Sequence, residues 1–134
     1  MVTIPKEVLD FLPGKLAWVA TASCNGEPNV TPKDTLRLLD DQHVSFADLF
    51  SRKTRQNLRE NPKVAVTVVD AKSGKGYQLK GTADLVESGQ LFQKVSEELK
   101  QSYEGLREPR CVVIITVEAV FDQSAGPEPG KQIA

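Results

Sequence analysis

The residues best suited to chemistry are gathered in one short stretch, Ser51-Arg52-Lys53-Thr54-Arg55-Gln56-Asn57-Leu58-Arg59-Glu60-Asn61-Pro62-Lys63. It carries five basic residues against one glutamate, a net charge of +4, while the whole chain of 134 residues has net charge −1. The remainder is therefore acidic and the basic charge is focused. The spacing predicts a helix over 52–60, with Ser51 as N-cap and Asn61-Pro62 as stop. Arg52, Lys53 and Arg55 would then lie in its first turn, where the helix dipole is positive and each cation costs a few tenths to ~1 kcal/mol. An anion bound there would offset that cost. Free backbone N–H groups, the Ser51 and Thr54 hydroxyls and the Lys53 ammonium could converge on a phosphate. The bland alternative, a solvated basic face, has equal weight on this segment alone.

A second irregular stretch is Thr31-Pro32-Lys33-Asp34-Thr35. Pro32 removes a ladder donor, which makes this an edge strand or a bulge. Thr31, Lys33 and Thr35 would share one side. Such a backbone could hydrogen-bond the edge of a flat heterocycle.

The rare residues narrow the chemistry. There are two cysteines, Cys24 and Cys111, and one histidine, His43. A structural zinc site wants four closely spaced Cys/His ligands, which are lacking. There is no G-x-S-x-G elbow, no Walker A loop and no G-x-G-x-x-G turn. His43 is expected at the surface at the start of a strand, Cys111 buried, Cys24 in a turn, and both thiols free. No catalytic residue and no metal ligand is assigned. Chemistry in this chain would be borrowed from a cofactor.

The elements that must position these residues follow from periodicity. Val8, Leu9, Phe11 and Leu12 mark a short helix after Pro5, ended by Pro13-Gly14. Apolar strands are expected at 16–22 and 64–69, both buried on two faces, with a hairpin at Asn25-Gly26. Further strands are expected at 28–39, interrupted near Pro32, and at 43–48, 77–86 and 111–121. A helix over 88–103 carries Leu91, Phe92, Val95, Leu99 and Tyr103 on one stripe. The fold class is mainly β: a six-stranded antiparallel split barrel with flanking short helices. Residues 1–121 form the domain. The 122–134 tail, rich in Pro and Gly, is either flexible or contributes to a dimer cleft. Two doubly buried strands in so short a chain favour a homodimer. No apolar stretch approaches the ~20 residues of a membrane span, and the N-terminus lacks a secretory signal, so a cytoplasmic protein away from membranes is expected.

In order and spacing these segments resemble the pyridoxamine 5′-phosphate oxidase-like family, the FMN-binding split barrels. The matching residues are Gly26-Glu27-Pro28-Asn29-Val30-Thr31-Pro32-Lys33, Leu36-Arg37, Phe46-Ala47-Asp48, and the run from Ser51 to Val66, with Gly81 as a small residue in the fifth strand. The resemblance spans about residues 4–121. It implies a homodimer with FMN in each of two clefts between subunits. Lys53 and Thr54, with Ser51 or Arg52 beside them, would hold the phosphate, and Asn57 is a further cofactor-binding residue. Thr31, Pro32, Lys33, Asp34 and Thr35 would line the ring, with Lys33 near its pyrimidine edge. Ala47 and Asp48 would pass the ribityl chain, and residues 121–126 would close the cleft from the other subunit.

The family's oxidases carry a C-terminal extension with paired arginines around a histidine, which has no counterpart here. Pyridoxamine-phosphate oxidation is therefore not expected. An electron-transfer flavoprotein or a flavin-dependent oxidoreductase is, with an electron donor or acceptor that the sequence does not name. A deazaflavin is the rival cofactor, since its acidic tail would suit Arg52, Arg55 and Arg59. A lone His43 speaks against a His-ligated haem. A binding module using the basic helix for nucleic acid is a further rival, opposed by the acidic net charge and the absence of interleaved aromatic residues. A structural dimer without ligand is the last.

Overall fold

Alternating strands separated by tight turns give one antiparallel sheet that curls on itself. The computed structural model describes residues 1–102 and 109–134. In chain order the elements are α1 (Lys6–Phe11), β1 (Ala17–Ala22), β2 (Pro28–Lys33), β3 (Arg37–Leu38), β4 (His43–Asp48), α2 (Lys53–Glu60), β5 (Lys63–Asp70), β6 (Lys75–Val86), α3 (Gln90–Ser102), β7 (Cys111–Asp122) and β8 (Lys131–Gln132). The sheet runs β2-β1-β5-β6-β7-β4-β3, with β8 added beside β7. The Tyr103 end of the expected α3 stripe lies outside the described residues.

The expected split barrel is present, with two more strands than the six expected. The predicted 28–39 strand divides into β2 and β3, because β2 pairs only with β1 while β3 pairs only with β4. Between them Thr35 reaches across the gap. Its hydroxyl donates to the Ala47 carbonyl (3.2 Å) and accepts from the Ala47 N–H (3.1 Å). One side chain thus supplies the bonding that a strand ladder would give, and the barrel stays open on either side of it.

The core follows the period of two. Val64, Val66 and Val68 of β5, Tyr77, Leu79 and Ala83 of β6, and Val113, Ile115 and Val117 of β7 all point inward and are buried. Val8 and Leu12 pack into this core, and the Phe11 ring meets Tyr77 edge-on at 5.2 Å. A second cluster, Val95 and Leu99 of α3 against Ala47 and Val112, covers the outer side of β4 and β7. The doubly buried strands are thus β4 and the start of β7. Those predicted, 16–22 and 64–69, leave an apolar outer face in solvent: Leu16, Trp18 and Val69 are 47%, 41% and 46% exposed.

Gly81 sets the closest approach between strands. A Cβ there would lie 2.1 Å from the Thr116 carbonyl oxygen, at a register shift between Lys80 and Gly81. The tail is ordered by pairing. Gln123 and Ala125 donate to Gly76 and Gly74 (both 2.9 Å), and the chain then returns so that Ile133 donates to the Val120 carbonyl at 2.8 Å. Among the described residues no helix is long and apolar enough to cross a membrane.

Candidate functional site

At the opening beside Thr35 the sheet leaves a cavity of about 190 Å³, lined by Pro32, Lys33, Asp34, Thr35, Ala47, Leu49 and Phe50. The break in the 28–39 strand forms one wall and the end of β4 the other. Five of the seven lining residues come from the sequence-predicted set. Leu49 and Phe50 are outside that set. Their signal was a pair of apolar residues in a turn, and Phe50 is 66% exposed at the rim.

Charge sits beneath this apolar wall. Asp48 is buried, and its carboxylate faces the Lys33 ammonium at 3.5 Å, with only a tenth of the lysine side chain exposed. The ammonium also lies 5.7 Å from the Phe46 ring centre. Asp48 Oδ1 accepts from the Ser51 N–H (3.0 Å) and from the Ser51 hydroxyl. Its other oxygen has the Cys111 thiol as a neighbour at 3.9 Å. Burial, and then the Asp48 charge, pushes that thiol up to about 11, so Cys111 is neutral here.

The Asp48–Ser51 contacts change the start of α2. Ser51 does not cap the helix, because the closer Asp48 carboxylate engages both its N–H and its hydroxyl. The helix begins at Lys53, with Arg52 at the cap position, no side-chain cap bond and no acidic residue in the first turn. The N–H groups of this turn keep their capacity for an anion.

The structure does not bring all the predicted phosphate ligands to one side. Arg52 and Lys53 are exposed. Thr54 is buried, and its hydroxyl accepts from Asn29 Nδ2 at 3.2 Å. Asn57 is fully buried. Its amide donates to Thr21 Oγ1 at 3.1 Å, and its carbonyl oxygen has no partner among the described residues. Thr54 and Asn57 therefore tie α2 to the β1–β2 hairpin. Thr31, opposite Val19, is half-buried on β2 and is not among the cavity-lining residues. His43 lies outside the cavity and bonds Asp40 through Nδ1 at 2.8 Å. The backbone N–H of Gln42 and then His43 hold the Asp40 carboxyl below its ordinary range. Cys24 is exposed, and both thiols are free.

The family model of pyridoxamine 5′-phosphate oxidase matches residues 4–124. The chain belongs to that family. An uncharacterised member of similar sequence, MJ0282 of Methanocaldococcus jannaschii, is 35% identical over all of this chain and 90% of its own. HupZ of Group A Streptococcus is 31% identical, covers 95% of this chain and 99% of its own, and superposes with a TM-score of 0.83. An FMN-binding protein of Syntrophomonas wolfei shares the fold at 17% identity (TM-score 0.76; 91% of this chain, 85% of that one). So does an F420 reductase at 22% identity (TM-score 0.63; 80% and 89%). The last two likenesses show the shared fold, and the cleft at Thr35 is where this barrel is open.

Proposed function

We propose that this chain is an FMN-binding flavoprotein of electron-transfer or oxidoreductase type, acting as a homodimer with the cofactor in the cleft beside Thr35. The observation that carries the reading is the half-built cavity. About 190 Å³ is below the roughly 300–1,000 Å³ of complete cofactor pockets. Its walls suit a flat ring: Pro32, Ala47, Leu49 and Phe50 offer apolar surface, and the non-ladder backbone at 34–36 offers polar groups at the edge. A second copy would supply the missing wall. The apolar outer face of β1, β2 and β5, with Leu16, Trp18, Val30 and Val69 exposed, supports that association.

The residues present fit a phosphorylated flavin. Lys53 and Arg52, at an uncapped helix start, would hold the phosphate. Lys33 and Asp48 would form the polar floor, and Ser51 keeps Asp48 in place. Thr54 and Asn57 would set the angle of α2 and so the position of Lys53. FMN, when bound, supplies one- or two-electron transfer. The protein's part is then to bind, to orient and to exclude water, and no side chain is assigned as a general base. An exposed free Cys24 suits a reducing compartment such as the cytoplasm.

The test is the visible spectrum of freshly purified protein, followed by FMN or deazaflavin addition and dialysis. Retained FMN supports the reading, retention of deazaflavin alone moves it to a deazaflavin reductase, and indifference to both removes it. Lys53→Ala should weaken FMN binding by ~2 kcal/mol, about thirty-fold, as for loss of a charge-assisted contact. Undiminished affinity would overturn the phosphate assignment. Dimerisation is checked by sizing wild type against Trp18→Glu.

A further inference from the structure

Beyond the cleft, α2 presents a second concavity. Arg52, Arg55 and Arg59 recur at helical spacing along one face, and Arg110 joins them from the entry to β7, fixed by its backbone N–H to the Asp48 carbonyl at 2.8 Å. With Gln56 and Glu60 they line a cavity of about 510 Å³. Four of the five described arginines stand in this one basin. Arg37, outside it, pairs with Glu98, and within it Arg59 pairs with Glu87 at 2.8 Å. Arg52, Arg55 and Arg110 have no acidic partner among the described residues. Like charges gathered on one helix face repel one another, and the helix dipole adds to the cost at Arg52 and Arg55.

We infer that this basin binds a compact polyphosphate, a small molecule bearing a pyrophosphate or triphosphate group. Three observations favour that class. Guanidinium forks match phosphate oxygens two at a time, and several forks around one concavity match several linked phosphates. The cavity is of small-ligand size. No aromatic residue lines it, so it offers no stacking platform for a nucleic-acid strand. The basin shares no residue with the cavity beside Thr35, meeting it only through the turn from Asp48 to Arg52. Arg52 is shared with the phosphate site of the cofactor reading, so the inference is carried by Arg55, Arg59 and Arg110, which that reading does not use.

The experiment is calorimetric titration of the full chain at 150 mM salt, as a typical ionic strength, with orthophosphate, pyrophosphate and tripolyphosphate, with and without saturating FMN. We expect one tripolyphosphate per chain, bound at least ~10-fold tighter than orthophosphate, consistent with added charge-assisted contacts. The Arg55→Ser/Arg110→Ser variant should weaken it by ~30-fold or more, and saturating FMN, which would engage only Arg52 of the basin, should weaken it far less than that variant does. The single variant Arg59→Gln gives a graded loss should the double variant fold poorly, which circular dichroism reports. Equal, weak binding of all three anions would mean a solvated basic face and overturn the inference. So would competition with FMN combined with indifference to the arginine substitutions, which would put the anion at the start of α2. Binding of an RNA oligonucleotide in place of tripolyphosphate would also overturn it. A protein that binds tripolyphosphate through these arginines but ignores FMN would keep this inference and lose the cofactor reading.

Discussion

The two sides of the barrel are built on different principles. On the closed side β5, β6 and β7 form long ladders, broken once by the register shift at Gly81, whose inward residues are mostly valine, leucine and isoleucine, close enough that Gly81 has no room for a methyl group. On the split side, pairing is replaced by single side chains. Thr35 bonds the Ala47 backbone, Lys33 pairs with Asp48, and Asp48 holds Ser51. The closed side gains its stability from area and shape, which tolerate little change of volume but ask for no particular chemistry. The split side gains its stability from a few buried polar pairs, each needing its partner. Such a seam can open to a ligand without dismantling the core, which is why the cleft lies there.

The largest expected effect is on the split side. Asp48→Ala leaves the Lys33 ammonium buried without its carboxylate, and removing one member of a buried pair costs about 3–5 kcal/mol. The melting temperature should fall by more than ~10 °C. Lys33→Met together with Asp48→Ala should recover much of the loss, because no charge is then stranded. If the single substitution costs under ~1 kcal/mol, the seam is not held by its charges and the contrast fails.

On the closed side, Gly81→Ala should cost about 3 kcal/mol, the upper range of overpacking, because the obstacle is the Thr116 carbonyl and not a mobile side chain. Denaturant unfolding measures it. The alkaline limb tests the point where the two sides meet. Cys111 titrates ordinarily near 9.0 and is pushed up to about 11 by burial and then by Asp48. A raised thiol favours folding fully below pH 9, and that contribution, roughly 2–3 kcal/mol at most, is lost as pH rises from 9 towards 11. Cys111→Ala should remove that part of the alkaline decline, and an unchanged pH profile would show that the thiol does not contribute.

Legibility in the sequence follows the same division. The closed side is a matter of period two, so 64–69, 77–86 and 111–121 are legible within a few residues, while the small residue at Gly81 follows from the family resemblance. The reversed charge pattern of α2 was legible because it breaks a local rule. Several features beyond local pattern are set by distant or alternative partners. The 28–39 stretch divides because Thr35 finds a backbone twelve residues away, which no local pattern encodes. Ser51 looked like a cap, but Asp48 three residues earlier takes it. Thr54 and Asn57 sit in a motif beside Lys53, yet helical geometry turns them towards Asn29 and Thr21. The tail has no periodicity because its order comes from main-chain bonds to Gly74, Gly76 and Val120.

The smallest effect is the one most specific to the split. Thr35→Val keeps volume and β-branching but removes the hydroxyl that serves both the N–H and the carbonyl of Ala47. Ala47 is buried, so its backbone groups lose a partner that water does not readily replace. The cost should be ~1–2 kcal/mol, the scale of leaving buried polar groups unsatisfied. Its location matters more than its size. Hydrogen exchange should quicken at Ala47 and along β3, where Leu38 pairs with Val44, while amides of β5–β7 keep their protection. Uniform acceleration across the sheet would mean that Thr35 secures the whole barrel and that the seam is no separate unit. Acceleration confined to the seam would mean that one hydroxyl sets how readily the cleft opens.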